Sequence, residues 1–103
     1  MPDIPTERRS AQRLPMTLLM RVSPSPRTPN GEDTITKDVS TKGVFFYSST
    51  AWSQDEKIEF LLALPPTGTQ VRYKGRVVRV EPYRGGTFGV AVATEAYEYV
   101  GNA

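Results

Sequence analysis

Glycine and proline punctuation constrains this chain more than any other feature. Nine prolines and eight glycines are spread along 103 residues, which leaves little room for long helices and favours short extended pieces. The pieces alternate. In residues 16–22, Leu18, Met20 and Val22 share one face while Thr17, Leu19 and Arg21 share the other, the period of a half-buried strand. Ile58, Phe60, Leu62 and Leu64 repeat the pattern, and Phe88, Val90 and Val92 do so with small residues between them. Six strands are expected, over 16–22, 33–39, 44–48, 56–64, 69–81 and 87–93, with a bulge or bend at Gly75. The breaks between them are turn-rich: Pro24, Pro26 and Pro29 before Asn30-Gly31, then Thr41-Lys42-Gly43, Pro65-Pro66-Thr67-Gly68 and the 82–86 segment with Gly85-Gly86. Residues 94–100 are expected to form one or two turns of helix.

No helix is long enough to serve as a crossover, so the strands are expected to pair antiparallel. A chain this short does not easily fill a two-sheet sandwich, whereas a barrel removes exposed edges at small size. The fold class is therefore all-β: a six-stranded antiparallel β-barrel over residues 16–103, with a possible short C-terminal helix. It is preceded by an arm, residues 1–15, broken by Pro2, Pro5 and Pro15 and solvated by Glu7, Arg8, Arg9 and Arg13. That arm shows no apolar periodicity of its own and is expected to be flexible. The aromatics Phe45, Phe46, Tyr47 and Trp52 are expected in the core.

Residue types that are missing exclude much chemistry. With no cysteine there are no disulfides and no thiolate metal sites. With no histidine the usual general base and the commonest metal ligand are gone. Neither an enzyme nor a cofactor is expected. No targeting signal is visible, and the partly apolar run 14–22 is too short to span a bilayer. A cytoplasmic location is the expectation. The net charge is only +2, but nine of the thirteen cations are arginine, the side chain suited to bidentate contact with phosphate or a guanine edge.

Two strings carry functional information. Arg9 and Arg13 make an R-x-x-x-R spacing, with Arg8 immediately before it. Roughly 0.75 such pairs arise by chance at this arginine content, and Arg72 with Arg76 makes a second one, so the spacing alone says little. Asp38-Val39-Ser40-Thr41-Lys42-Gly43 is a D-x-S-x-x-G string, for which chance predicts roughly 0.03 occurrences. In this order, an arginine arm followed about two strands later by D-x-S-x-x-G, the chain resembles the PilZ family. Residues 75–81 and 85–92 look like that family's closing strands, and the resemblance runs over roughly residues 7–94.

The resemblance implies a receptor for cyclic di-GMP, with Arg8, Arg9, Arg13, Asp38, Ser40 and Gly43 at the ligand. The chemistry agrees. A guanine offers O6 and N7 as acceptors on its Hoogsteen edge, which an arginine fork matches. Its N1–H and N2–H donors suit a carboxylate such as Asp38. Ser40 can bond a guanine edge or a phosphate oxygen, and Gly43 permits a turn or a close backbone approach. Anionic ligand would order the arm against the barrel, and a protein partner in motility or exopolysaccharide regulation would read the new surface. In the family, an extra arginine at the place of Arg8 often accompanies a stacked ligand dimer. Arg79, on a late strand, is a further possible contact whose direction is open.

Blander readings exist for each feature. The arm can be a solvated basic tail, the D-x-S-x-x-G string an ordinary turn, and Glu56 with Glu59 a solvated face. At the level of the whole chain, one alternative is a PilZ-like module that works through protein contacts without nucleotide. Another is a small basic barrel for nucleic acid, which the mild net charge disfavours.

Overall fold

The computed structural model describes residues 14–102 and contains seven strands and no helix among them. They are β1 (Leu14–Pro15), β2 (Leu19–Val22), β3 (Glu32–Val39), β4 (Gly43–Ser48), β5 (Lys57–Leu64), β6 (Thr69–Pro82) and β7 (Phe88–Asn102). Neighbours run β3-β2-β5-β6-β7-β4, all antiparallel, and β4 pairs back onto β3. The six-stranded barrel is thereby closed, as the turn-rich sequence implied. Among the described residues there is no helix long and apolar enough to cross a membrane.

Alternation built the interior. Met20 and Val22 of β2, Val44 and Phe46 of β4, Ile58, Phe60 and Leu62 of β5, Val77 of β6, and Val90 and Val92 of β7 are buried together, capped by Leu18 and Trp52. Burying each such side chain contributes about 1.5–3 kcal/mol, offset by the entropy of ordering the chain.

β1 and β2 are one line interrupted. Leu14 and Pro15 pair with Val39 and Asp38 of β3, and Leu19 to Val22 pair further along the same strand, with the register displaced by one. The buried hydroxyl of Thr36 fills the break. It donates to the Met16 carbonyl at 2.6 Å and accepts from the Leu18 N–H at 2.8 Å, so neither backbone group is left unsatisfied. The last two residues of the expected arm are thus part of the sheet.

The expected C-terminal helix is absent. β7 continues to Asn102, pairing with Thr69–Lys74 of β6. The reason is composition: Tyr97, Tyr99 and Val100 suit a pleated surface, and β6 is long enough to offer them a partner. Register shifts at Lys74/Gly75 and Val77/Arg79 accommodate the curvature, the first at the expected glycine.

Candidate functional site

The D-x-S-x-x-G string forms the end of β3 and the turn into β4. Ser40 organises that turn. Its N–H donates to the Gly43 carbonyl at 2.9 Å, while its Oγ accepts from the N–H groups of Lys42 and Gly43 at 3.2 and 3.1 Å. Gly43 is required by proximity rather than by conformation. A Cβ there would sit 2.6 Å from the Val92 carbonyl oxygen of β7, a backbone atom that cannot step aside. β4 can pair tightly with β7 only because this position has no side chain.

A bulge lies between Thr36 and Asp38. Thr36 is buried and Val39 packs on the core, so the two residues between them do not enter the interior. Lys37 places its ammonium 5.4 Å from the centre of the Phe45 ring. Asp38 lies opposite Phe45 in register and acts electrostatically on the Tyr47 hydroxyl.

Phe45 and Tyr47 correct the expectation that the aromatics fill the core. Phe46 and Trp52 do fill it, but Phe45 and Tyr47 lie on the outside wall. Phe45 is nonetheless only 8% exposed. It rests on Gly89 of β7, where a Cβ would come within 2.5 Å of its Cζ, and Arg79 of β6 covers it at 5.8 Å. The small residues that interleave β7 are the floor on which this ring lies. Tyr47 meets Phe45 edge-on at 6.3 Å and Tyr83 at 4.8 Å between ring centres. Tyr83 sits in the β6–β7 turn, where Gly85 and Gly86 take left-handed φ values of 64° and 76°, and the Arg84 guanidinium stands 5.4 Å from its ring centre.

The two phenols are not equivalent. Burial, then the neighbouring Tyr83 and the Asp38 carboxylate, hold the Tyr47 hydroxyl above its ordinary value. Hydrogen bonds from Arg84 and Tyr47 pull Tyr83 below its own. Arg79 also reaches Glu81 at 2.7 Å. The outcome is an aromatic shelf on the outer wall, running from buried Phe45 through half-buried Tyr47 to exposed Tyr83, flanked by Lys37, Arg79 and Arg84 and bordered by Asp38. Such a surface can stack planar rings and hold an anion.

Of the residues expected at the ligand, the structure brings Asp38, Ser40 and Gly43 together on one turn. Arg8, Arg9 and Arg13 lie outside the described residues, but the residue after Arg13 is Leu14, which β3 holds opposite Val39, between Asp38 and Ser40 in the chain. Sequence reasoning missed Lys37, Tyr47, Tyr83 and Arg84. The signal available for them was the run of small residues at Gly89, Ala91 and Ala93, alternate positions on β7 that leave room for rings outside the barrel. A separate hollow of about 550 Å³ lies by the β2–β3 loop, between Pro24, Trp52 and Gly75. It includes none of the motif residues; Lys57 is paired there with Glu95 at 3.4 Å, and Lys74 lies only loosely beside Glu59 at 3.9 Å. Among the described residues no group of three or more carboxylates is gathered as a metal site.

Comparison with known proteins agrees with this fold. The family model for the PilZ domain matches residues 7–97. No curated protein matches the sequence. Among solved structures the fold is similar to the Bacillus subtilis inhibitor of motility MotI/DgrA, with a TM-score of 0.71 at 15% identity. That alignment covers 85% of this chain and 43% of the other, so the likeness is one of fold and spans less than half of that protein.

Proposed function

Because this chain belongs to the PilZ domain family, we propose that it is a receptor for cyclic di-GMP, binding the nucleotide on the outer wall over β3 and β4. The observation that carries the reading is the intact D-x-S-x-x-G turn, with Asp38 at the border of an aromatic shelf lined by cations. Arg9 and Arg13 supply guanidinium forks for phosphate and for the guanine Hoogsteen edge, with Arg8 available to a second, stacked nucleotide. Asp38 accepts from guanine N1–H and N2–H. Ser40 keeps the turn in shape and presents its hydroxyl beside it, and Gly43 holds β4 against β7. Tyr83 and Tyr47 offer ring faces, and Arg79 and Arg84 offset the phosphates. The arm closes over the ligand, and its ordering creates the surface a protein partner reads. We assign the domain a cytoplasmic signalling role in motility or exopolysaccharide regulation, not catalysis. The name of the similar structure, an inhibitor of motility, favours the first process.

The test is calorimetric titration of cyclic di-GMP into the protein and into Arg13→Ala, with GTP and single-stranded DNA as controls. Saturable binding that the variant loses supports the receptor, and the fitted ratio tests Arg8. No heat and no thermal shift with cyclic di-GMP would overturn it and leave the protein-interaction module. Binding of the DNA instead would point to the nucleic-acid barrel.

A further inference from the structure

β7 outruns the strand beside it. β4 pairs with β7 only as far as Gly43 opposite Ala93, and the last bond across is from the Thr94 N–H to the Lys42 carbonyl at 3.0 Å. From Glu95 to Asn102, among the described residues, β7 is paired on its β6 side alone. Its other side is a row of backbone donors and acceptors. Natural sheets guard such edges with proline, lysine or a covering segment. Residues 95–102 contain neither proline nor lysine, and they expose Tyr97 at 65% and Tyr99 at 71%.

We propose that this edge pairs with the same edge of a second copy, antiparallel, about a two-fold axis through Tyr97. The register follows from charge and shape. An axis through Glu98 would set Glu98 against Glu98, and like charges directly opposite are destabilising. An axis through Ala96 would leave only residues 95–97 clear of Ala93 and Thr94, which β4 already reaches, whereas an axis through Tyr97 leaves residues 95–99 clear. The axis through Tyr97 sets Ala96 opposite Glu98 of the second copy. Over Ala96 there is a dent of about 120 Å³ walled by Arg72, Lys74, Tyr97 and Glu98. Lys74 lies directly across from Ala96 on β6. Its side chain is 65% exposed and its nearest carboxylate, Glu59, is a distant 3.9 Å away. The small alanine leaves a gap through which Glu98 of the second copy meets Lys74 while keeping Arg72 of its own chain, which it already holds at 3.0 Å. Symmetry makes the contact twice. On the opposite face Tyr97 meets Tyr97 of the second copy, extending the row in which Tyr73, Tyr97 and Tyr99 stand 6.1 and 6.0 Å apart.

The inference is independent of nucleotide binding, so its test omits nucleotide. Sedimentation velocity is run on the full chain over a concentration series through the micromolar range expected of a small interface. The expected result is a mass that rises to twice that of one chain. Glu98→Lys sets like charges across the dent and weakens association at least tenfold, and Ala96→Phe, which fills the dent without a charge, does the same. Glu98→Lys combined with Lys74→Glu restores the dimer. All of these positions are exposed, and thermal melting verifies that each variant folds. A chain that stays monomeric throughout overturns the proposal, as does a dimer indifferent to both Glu98→Lys and Ala96→Phe. A monomer in which the β7 amides beyond Thr94 that point away from β6 resist hydrogen exchange also overturns it, and assigns the edge to another part of the same chain.

Discussion

The wall over β4 and the free end of β7 are built from the same residue types, tyrosines beside arginines and lysines, yet they are electrically different. Along the β5–β6–β7 extension the cations face carboxylates: Arg72 with Glu98, Arg76 with Asp55 and Glu95, Lys57 with Glu95, Lys74 with Glu59. Over β4 Lys37 and Arg84 face rings instead, Phe45 and Tyr83, while Arg79 lies over Phe45 and is also paired with Glu81. Exposed ion pairs contribute little to stability, about 0–1 kcal/mol each, but they cancel the field of their region. Cations held over aromatic faces keep their charge available to an arriving phosphate. The difference teaches that residue counts do not single out a candidate anion site; what each cation rests on does.

The comparison can be broken from beneath. Phe46 is fully buried in the one core on which both surfaces depend, and Phe46→Ala should cost about 3–5 kcal/mol, read as a lowered denaturant midpoint. Both nucleotide binding and self-association should fall with it. Arg13→Ala should act on one surface only. Losing hydrogen bonds to a charged ligand weakens cyclic di-GMP binding by about ten- to a hundredfold, roughly 1.5–3 kcal/mol, whereas Arg72→Ala, already neutralised by Glu98, should leave it within about twofold. If calorimetry finds the two equivalent, the contrast between the surfaces is wrong.

A finer cut uses the tyrosines. Tyr83→Ala should reduce cyclic di-GMP affinity several-fold with little change in melting temperature, while Tyr97→Ala should spare the nucleotide and loosen the dimer. The smallest effect lies outside both surfaces. The Arg27 guanidinium grips Glu56 at 2.9 and 3.0 Å and, with help from the Ser53 N–H, holds its carboxyl below the usual range. A depressed carboxyl stabilises the fold above its unfolded pKa and loses that contribution as pH falls through the folded value. Glu56→Gln should therefore flatten the acid limb of a stability–pH curve and change nothing near neutrality beyond a slight overall loss.

Much of this was legible without coordinates. Period-two alternation placed four of the six barrel strands within a residue or two of where they lie, found the start of the last but not its extent, and blurred the first because Thr36 bridges an interruption that no pattern announces. Gly75 was readable as a bend because a glycine within a strand run is seldom neutral. The D-x-S-x-x-G string was readable as a candidate site because its composition is rare. Residues 94–100 were misread as helical because the local pattern there is ambiguous, and their partner, Thr69–Lys74, is some 25 positions away along β6. Phe45 and Tyr47 were misread because a run of aromatics says nothing about which of them face out.

The sequence by itself determined the strand count, the antiparallel pairing, the buried face of most strands and the identity of the motif turn. Those properties depend on spacing along the chain, and spacing is what a pattern of apolar residues, prolines and glycines encodes. Only the tertiary structure decided that Gly43 is demanded by the Val92 carbonyl, that Phe45 lies over Gly89 beneath Arg79, and that β7 ends with one side unpaired among the described residues. Each of those depends on closure of the barrel, which brings β4 between β3 and β7 and sets atoms from distant parts of the chain within contact of one another.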